Sequence, residues 1–188
     1  MIKSKDSKDT MRLFIAINFQ DFIKSEIAKA RDALKKSAIK GRFSGNENLH
    51  LTLVFLGEYD IKHMETIKAI MNDIKFSPLS LRIEKIEFFK RFGGDVYYVR
   101  LKENEQLLAL QAELSNRLIE EGFILEKRKY TPHITLGREI QMPENFIIPK
   151  LEAIEFLVQG IELMESEHLN GKLVYTPVYS KSSIESHV

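Results

Sequence analysis

The sequence predicts an α+β fold in one domain, because segments with the apolar spacing of helices alternate with short β-rich runs. Two pairs of β-rich runs are joined by Gly93-Gly94 and by Asn170-Gly171, dipeptides that supply the positive φ of tight hairpin turns, so we expect antiparallel pairing. A strand with the pattern His-x-Thr occurs twice, at His50 and at His133, 133 − 50 = 83 residues apart. This repeat predicts two similar half-domains that face one cleft.

Three segments carry helical periodicity. The first follows the strand MRLFIAINF and takes Asp21 as its N-cap; the second covers residues 60–74, and the third covers 104–121 with Gly122 as its stop. Residues 40–48 read as loop, and the first His-x-Thr strand is expected to end at Gly57. The predicted buried faces are Ile23, Ile27, Ala30 and Leu34; Ile61, Met64, Ile67, Met71 and Ile74; and Leu107, Leu110, Leu114 and Leu118.

The bulk properties exclude several classes of function. The 188 residues fit a single domain 1–188, with residues 1–10 as a flexible N-terminal tail and 181–188 as a C-terminal tail. Without cysteine there are no disulfides, thiolate metal sites or cysteine nucleophiles. The net charge of +1 argues against a polyanion-coating surface, and no apolar run is long enough for a membrane span. We expect a cytoplasmic monomer.

The first His-x-Thr strand has two different faces. Side chains alternate along a strand, so His50 and Thr52 share one face while Leu51, Leu53 and Phe55 share the other. The apolar face suits the core. The polar face places an imidazole beside a hydroxyl.

The second copy repeats this arrangement, with His133 and Thr135 on one face and Ile134 and Leu136 on the other. Two imidazoles suit general acid–base chemistry, because an unperturbed pKa of about 6.5 lets one be neutral while the other is charged. Threonine hydroxyls can donate to a phosphate oxygen. The motifs are chemically alike, so the residues alone do not assign acid and base.

The stretches NLHLTLVFLGE (residues 48–58) and TPHITLGR (residues 131–138) resemble the paired motifs of the two-histidine (2H) phosphoesterase superfamily. Within it, the chain looks most like the RNA 2′,3′-cyclic phosphodiesterases, once called 2′-5′ RNA ligases, from about Met11 to Tyr179. The resemblance implies a bilobal 2H phosphoesterase fold: two pseudo-symmetric antiparallel-sheet lobes with helices outside and a central cleft. It also implies hydrolysis of 2′,3′-cyclic phosphates at RNA 3′ ends, or on small nucleotides, to 2′-phosphates, without metal or other cofactor.

The resemblance also assigns roles residue by residue. His50 matches the general acid of the family and His133 its general base. Thr52 and Thr135 match the phosphate-binding threonines, and Arg138 matches an arginine near the phosphate. We therefore expect these five side chains to form one site.

Arg138 does not fit this picture by simple alternation. Strict alternation places it on the face opposite His133, so it reaches the site only if Gly137 interrupts the pleat, as glycine in a strand often does. Whether Arg138 belongs to the site therefore depends on the backbone conformation at Gly137.

Three other interpretations remain open. One is another activity of the superfamily, cleavage of 2′-5′-linked oligonucleotides or of ADP-ribose cyclic phosphate. Another is an RNA-end-binding module without turnover, which would have no need of two proton-transferring histidines. The third, a metal hydrolase, lacks a ligand pattern such as His-x-x-x-His with a nearby acid. The basic run at residues 126–130 either steers RNA phosphates or is a solvated loop, and Tyr130 either stacks on a base or packs.

Overall fold

The computed structural model describes residues 9–184. It contains two antiparallel sheets and three α-helices, which confirms the predicted α+β class. The helices and strands are, in chain order, β1 (Thr10–Asn18), α1 (Asp21–Ser37), β2 (Lys40–Phe43), β3 (His50–Asp60), α2 (Met64–Asp73), β4 (Leu79–Phe89), β5 (Asp95–Leu101), α3 (Glu105–Glu120), β6 (His133–Gln141), β7 (Glu155–Val158), β8 (Gly160–Leu169) and β9 (Lys172–Ser182).

The two sheets follow the same path away from the His-x-Thr strands. In the first sheet, with strand order β3-β1-β8-β9, the motif strand β3 pairs with β1, which pairs with β8. In the second sheet, with order β2-β6-β5-β4-β7, the motif strand β6 pairs with β5, which pairs with β4. The expected pseudo-symmetry of two half-domains therefore exists at the level of strand order.

Each motif strand is covered by a helix from the other half of the chain. The helix α3, which precedes β6, contacts β3, and α1, which precedes β3, contacts β6. The apolar faces predicted for α1 and α3 are buried, and one core cluster contains residues of both sheets and all three helices. The halves are thus interleaved, and neither motif strand has its core without the other half.

Several local predictions need correction. Asp21 is the first helical residue and not the N-cap; the cap is Gln20, whose side chain makes no capping hydrogen bond. Lys40–Phe43, expected as loop, forms β2 because its backbone pairs with β6. The strand β3 continues past Gly57 to Asp60, since Gly57 adopts φ 90° at an irregularity opposite Leu13.

The second helical segment and the hairpins also differ in detail. Ile61 is exposed in a short 3-10 turn, Ile61–His63, and α2 starts only at Met64. Asn170-Gly171 forms the expected two-residue turn, with φ of 51° and 75°. The hairpin at Gly93-Gly94 exists as well, but its connection covers residues 90–94 and is longer than predicted.

The predicted tails are shorter where the structure describes them. Thr10 already belongs to β1, and β9 continues to Ser182 because its backbone pairs with β8. Beyond that strand, Ser183 and Ile184 donate backbone hydrogen bonds to Gln159 O and Phe76 O. Residues 1–8 and 185–188 lie outside the described residues. No helix within residues 9–184 is long and apolar enough to cross a membrane.

Candidate active site

The two His-x-Thr motifs occupy equivalent positions in the two sheets. In β3, His50 lies opposite Asn18 and Thr52 lies opposite Ala16 of β1. Leu51 and the other core-facing neighbours are fully buried, whereas His50 and Thr52 are only partly buried. The face that the sequence predicted to be polar is therefore the face that is open.

The second motif is oriented in the same way. His133 pairs with Arg100 and Thr135 pairs with Tyr98 of β5, and both motif side chains are partly buried. Ile134 and the next apolar residue of β6 are fully buried against α1. Each motif strand thus presents an imidazole and a hydroxyl on the face away from its core.

Both imidazoles are held by the same kind of hydrogen bond. Nδ1 of His50 contacts the carbonyl oxygen of Asn48 at 2.8 Å, and Nδ1 of His133 contacts that of Thr131 at 2.7 Å. Because a carbonyl can only accept, Nδ1 carries the proton and Nε2 of the neutral ring carries the lone pair. Both histidines therefore have Nε2 ready to take up a proton.

Thr52 is already coupled to its histidine. Its Oγ1 lies 3.0 Å from Nε2 of His50, and in the neutral tautomer the hydroxyl donates to that nitrogen. When the imidazole is protonated the direction reverses, and the hydroxyl hydrogen becomes free for another acceptor. The threonine can therefore follow the protonation state of the ring.

Two aromatic side chains pack beside each imidazole. The ring centroid of His50 lies 4.9 Å from that of Phe14 and 5.0 Å from that of Tyr175. Phe89 and Tyr98 surround His133, at 5.5 Å and 5.3 Å. The sequence analysis missed these residues, since they come from β1, β9, β4 and β5 and have no local motif. The only available signal was their position on strands, which many core aromatics share.

Burial makes both imidazoles weak bases. It lowers the pKa of His50 to about 4, the positive charges of His133 and Arg138 act in the same direction, and the hydrogen bond to Asn48 acts against them. The pKa of His133 is also lowered by burial and by Arg138. Arg138 therefore lies within electrostatic reach of both motifs, and both rings are neutral at pH 7 in the free protein.

A β-bulge accounts for the position of Arg138. Thr135 pairs with Tyr98 while Gly137 pairs with the adjacent Tyr97, so Leu136 is an extra residue in β6. Leu136 and Gly137 are both buried, and the next residue, Arg138, is exposed. A second irregularity follows at once, since Glu139 adopts φ 55° and Ile140 pairs with Asp95. The pleat is therefore interrupted beside Gly137, which is the condition that the sequence analysis set for Arg138 to reach the site.

The first motif contains a bulge at the equivalent place. Thr52 pairs with Ala16 while Val54 pairs with the adjacent Ile15, which makes Leu53 the extra residue in β3. The prediction that Phe55 belongs to the core face is therefore wrong: it is 40% exposed, and the Arg12 guanidinium lies 5.0 Å from its ring centroid. Phe55 thus occupies in β3 the position that Arg138 occupies in β6.

Gly137 is required by the neighbouring strand. A Cβ at this position would lie 2.8 Å from the carbonyl oxygen of Arg42 in β2 and 2.8 Å from Cδ1 of Ile140. The equivalent residue of β3 can be Val54, because β3 is the outermost strand of its sheet. The pairing of β2 with β6 therefore makes the two bulges chemically different.

The remaining predictions concern residues around the site. Tyr130 packs against the core and its hydroxyl donates to the carbonyl oxygen of Thr52 at 3.0 Å. In the basic run before β6, Arg128 pairs with Glu126 at 2.9 Å and its charge also lowers the pKa of His133. Within residues 9–184, no three histidine or acidic side chains are grouped so that they could hold a metal ion.

Comparison with known proteins agrees with this geometry. The model of the 2′-5′ RNA ligase superfamily matches residues 19–170. The chain belongs to this superfamily. It is 32% identical over 139 residues to the RNA 2′,3′-cyclic phosphodiesterase of Thermotoga maritima, covering 72% of this chain and 74% of that protein. It is 37% identical over 133 residues to the same enzyme of Methanocaldococcus jannaschii, covering 68% and 71%.

Solved structures of the superfamily share the fold. Escherichia coli LigT complexed with 3′-AMP superposes with a TM-score of 0.80 at 25% identity, covering 94% of this chain and 99% of that one. Together with the two sheets described above, this similarity confirms the predicted bilobal 2H phosphoesterase fold.

We predict that the site takes up protons when it binds an anion. An anion beside the imidazoles stabilises their charged form and raises both pKa values from their lowered positions. Sulfate remains a dianion throughout, so its affinity should rise as the pH falls from 7 to 5, by up to about tenfold per pH unit for each proton taken up. Calorimetric titration in two buffers of different ionisation enthalpy measures the uptake directly.

The variant His50→Gln provides the control for this experiment. It removes one of the two titrating groups, so it should bind sulfate with a weaker dependence on pH than the parent protein. An affinity that is independent of pH in the parent protein would contradict the prediction.

Proposed function

We propose that the protein hydrolyses RNA-terminal 2′,3′-cyclic phosphates to 2′-phosphates by two-histidine general acid–base catalysis, without a metal ion. The observation that supports this most directly is the pair of imidazoles on equivalent strands, each with Nδ1 held by a carbonyl and Nε2 available for proton transfer. The relatives named RNA 2′,3′-cyclic phosphodiesterase support the substrate class. The protein acts as a single-domain monomer in the cytoplasm.

Acid and base are assigned from the family resemblance. Nε2 of His133 takes a proton from a water molecule, whose oxygen forms a bond to phosphorus. The bond between phosphorus and O3′ breaks, and O3′ receives a proton from Nε2 of His50. The product carries its phosphate on O2′. His133 ends the step with one proton more and His50 with one proton fewer, and exchange with solvent restores both rings. Thr52 and Thr135 donate to the non-bridging phosphate oxygens.

The acid acquires its proton together with the substrate. In the free protein burial lowers the pKa of His50 to about 4, so Nε2 of this ring carries no proton at pH 7. The negative charge of the cyclic phosphate raises that pKa, and the proton that enters can then be passed to O3′. His133, the base that takes a proton from water, needs no change of protonation state, because it is already neutral.

The first test is the reaction itself. A short RNA ending in a 2′,3′-cyclic phosphate should be converted to the 2′-phosphate, with undiminished rate in EDTA, and NMR or mass spectrometry after specific phosphatase treatment reads the phosphate position. The 2′-5′-linked dinucleotide and ADP-ribose cyclic phosphate are assayed with the same preparation. Faster turnover of either would replace the proposed substrate by another of the superfamily, and binding of RNA ends without turnover would replace the enzyme by a binding module.

The second test separates acid from base by the leaving group. His50→Ala should slow hydrolysis of the RNA cyclic phosphate by roughly 10²–10⁴-fold but an aryl phosphodiester far less, because an aryl oxide leaves without a proton. His133→Ala should slow both substrates, since the water still has to lose a proton. Equal losses on both substrates in the two variants would leave the assignment without support.

The third test concerns Arg138. If its guanidinium contacts the phosphate, Arg138→Ala should mainly raise KM, with a smaller loss in kcat, and Arg138→Lys should recover only part because lysine lacks the planar fork. Arg42→Ala is the matched control: this exposed arginine lies opposite Arg138 in β2 but pairs with Glu139. Unchanged kinetics in Arg138→Ala, or an equal effect in Arg42→Ala, would remove Arg138 from the site.

A further inference from the structure

Two side-chain hydroxyls connect the two motifs to each other. The Tyr130 hydroxyl, three residues before His133, donates to the carbonyl oxygen of Thr52 at 3.0 Å. The Ser44 hydroxyl, six residues before His50, donates to the carbonyl oxygen of Thr135 at 2.9 Å. Each segment that leads into one motif is therefore bonded to the threonine peptide of the other motif.

The sheets leave these two carbonyls available. The strand β3 is the outermost strand of its sheet, so the side of Thr52 turned away from β1 has no hydrogen-bonded strand. The strand β6 does have β2 beside it, but that pairing ends with Phe43 opposite Gly137, before Thr135 is reached. Partly buried carbonyls need a donor, and here side-chain hydroxyls supply it in place of a strand.

Both donors are firmly held. The backbone N–H of Ser44 donates to the carbonyl oxygen of Leu136, and the carbonyl of Ser44 accepts from Nη1 of Arg31, both at 2.9 Å. Tyr130 is packed against the core, and burial raises the pKa of its phenol, so it remains a donor across the physiological range. Because both donors are held rigidly, the two hydrogen bonds can keep the two motif strands at a fixed distance from each other.

We propose that Tyr130 and Ser44 are positioning residues, a reciprocal hydroxyl clamp that sets the separation of His50 and His133 across the cleft. The catalytic consequence rests on the proposed function. One phosphate has to be reached by the base from one side and by the acid from the other, and a displacement of about 1 Å in such an arrangement can cost about 10²-fold in rate. The clamp acts at the place where the two halves of the chain meet.

The clamp should affect kcat more than KM. Substrate binding requires contacts to the phosphate, which either motif can supply in part, whereas the transition state requires both imidazoles at once. A residue that served only stability would instead lower the melting temperature and leave kcat of the folded protein unchanged.

The experiment removes one hydroxyl at a time. Tyr130→Phe and Ser44→Ala should each lower kcat on the RNA cyclic phosphate by roughly 10- to 100-fold with KM changed less than about threefold. Ser44→Thr keeps the hydroxyl and should retain most of kcat. Tyr59→Phe and Ser80→Ala are matched controls, since the Tyr59 hydroxyl accepts from the Ile124 N–H and the Ser80 hydroxyl donates to Glu155, and neither bond involves a motif residue.

A second measurement does not depend on turnover. The charge of His133 contributes to lowering the pKa of His50, so a wider separation should move the NMR titration of the His50 ring upward in Tyr130→Phe and Ser44→Ala, but not in the two controls. If the parent protein does not hydrolyse the cyclic phosphate, the proposed function fails and this titration alone judges the clamp. Unchanged His50 titration in both clamp variants, or losses of kcat as large in the controls, would overturn the proposal.

Discussion

The burial of the apolar faces of the two motif strands is the constraint on which the candidate site depends. Leu51 and Leu53 of β3, and Ile134 and Leu136 of β6, are at most 2% exposed. Burying such side chains contributes roughly 1.5–3 kcal/mol each, while a hydrogen bond of the site contributes about 0.5–1.5 kcal/mol. The core faces therefore decide how the strands are turned, and the imidazoles and hydroxyls lie on the opposite, partly open faces as a consequence.

Interleaving of the two halves explains how one cleft is formed from two similar motifs. The helix α1 covers β6, α3 covers β3, and β2 extends the sheet that contains the second motif. The chain then has only residues 44–49 in which to cross to β3. Ser44 sits at the beginning of this crossing, so the hydrogen bond from its hydroxyl to Thr135 fixes the point from which the first motif strand starts.

The electrostatics of the free site favour an anion. Burial and the positive charge of Arg138 lower the pKa of both imidazoles, and aromatic rings pack beside them. A negatively charged ligand reverses this balance by stabilising the imidazolium. Binding and protonation are then linked, and in the proposed mechanism this link turns one of the two neutral imidazoles into the acid when the anion binds.

The sequence by itself determined the α+β class, the two hairpins, the buried stripes of α1 and α3, and the pairing of His50 with Thr52 and of His133 with Thr135 on one strand face. These features depend on local spacing, which can be read along the chain. The sequence did not predict the strand β2, because KGRF has no apolar alternation. This segment becomes a strand only where β6 offers unpaired backbone groups.

Only the tertiary structure decided the orientations of Phe55 and Arg138. Both follow bulges in which one residue of a motif strand has no partner, and a bulge is set by the register with the neighbouring strand and not by the residue itself. The aromatic side chains beside the imidazoles and the contacts of Tyr130 and Ser44 likewise join residues far apart in the chain. Local patterns carry no information about such distances, because they are fixed when the two halves pack together.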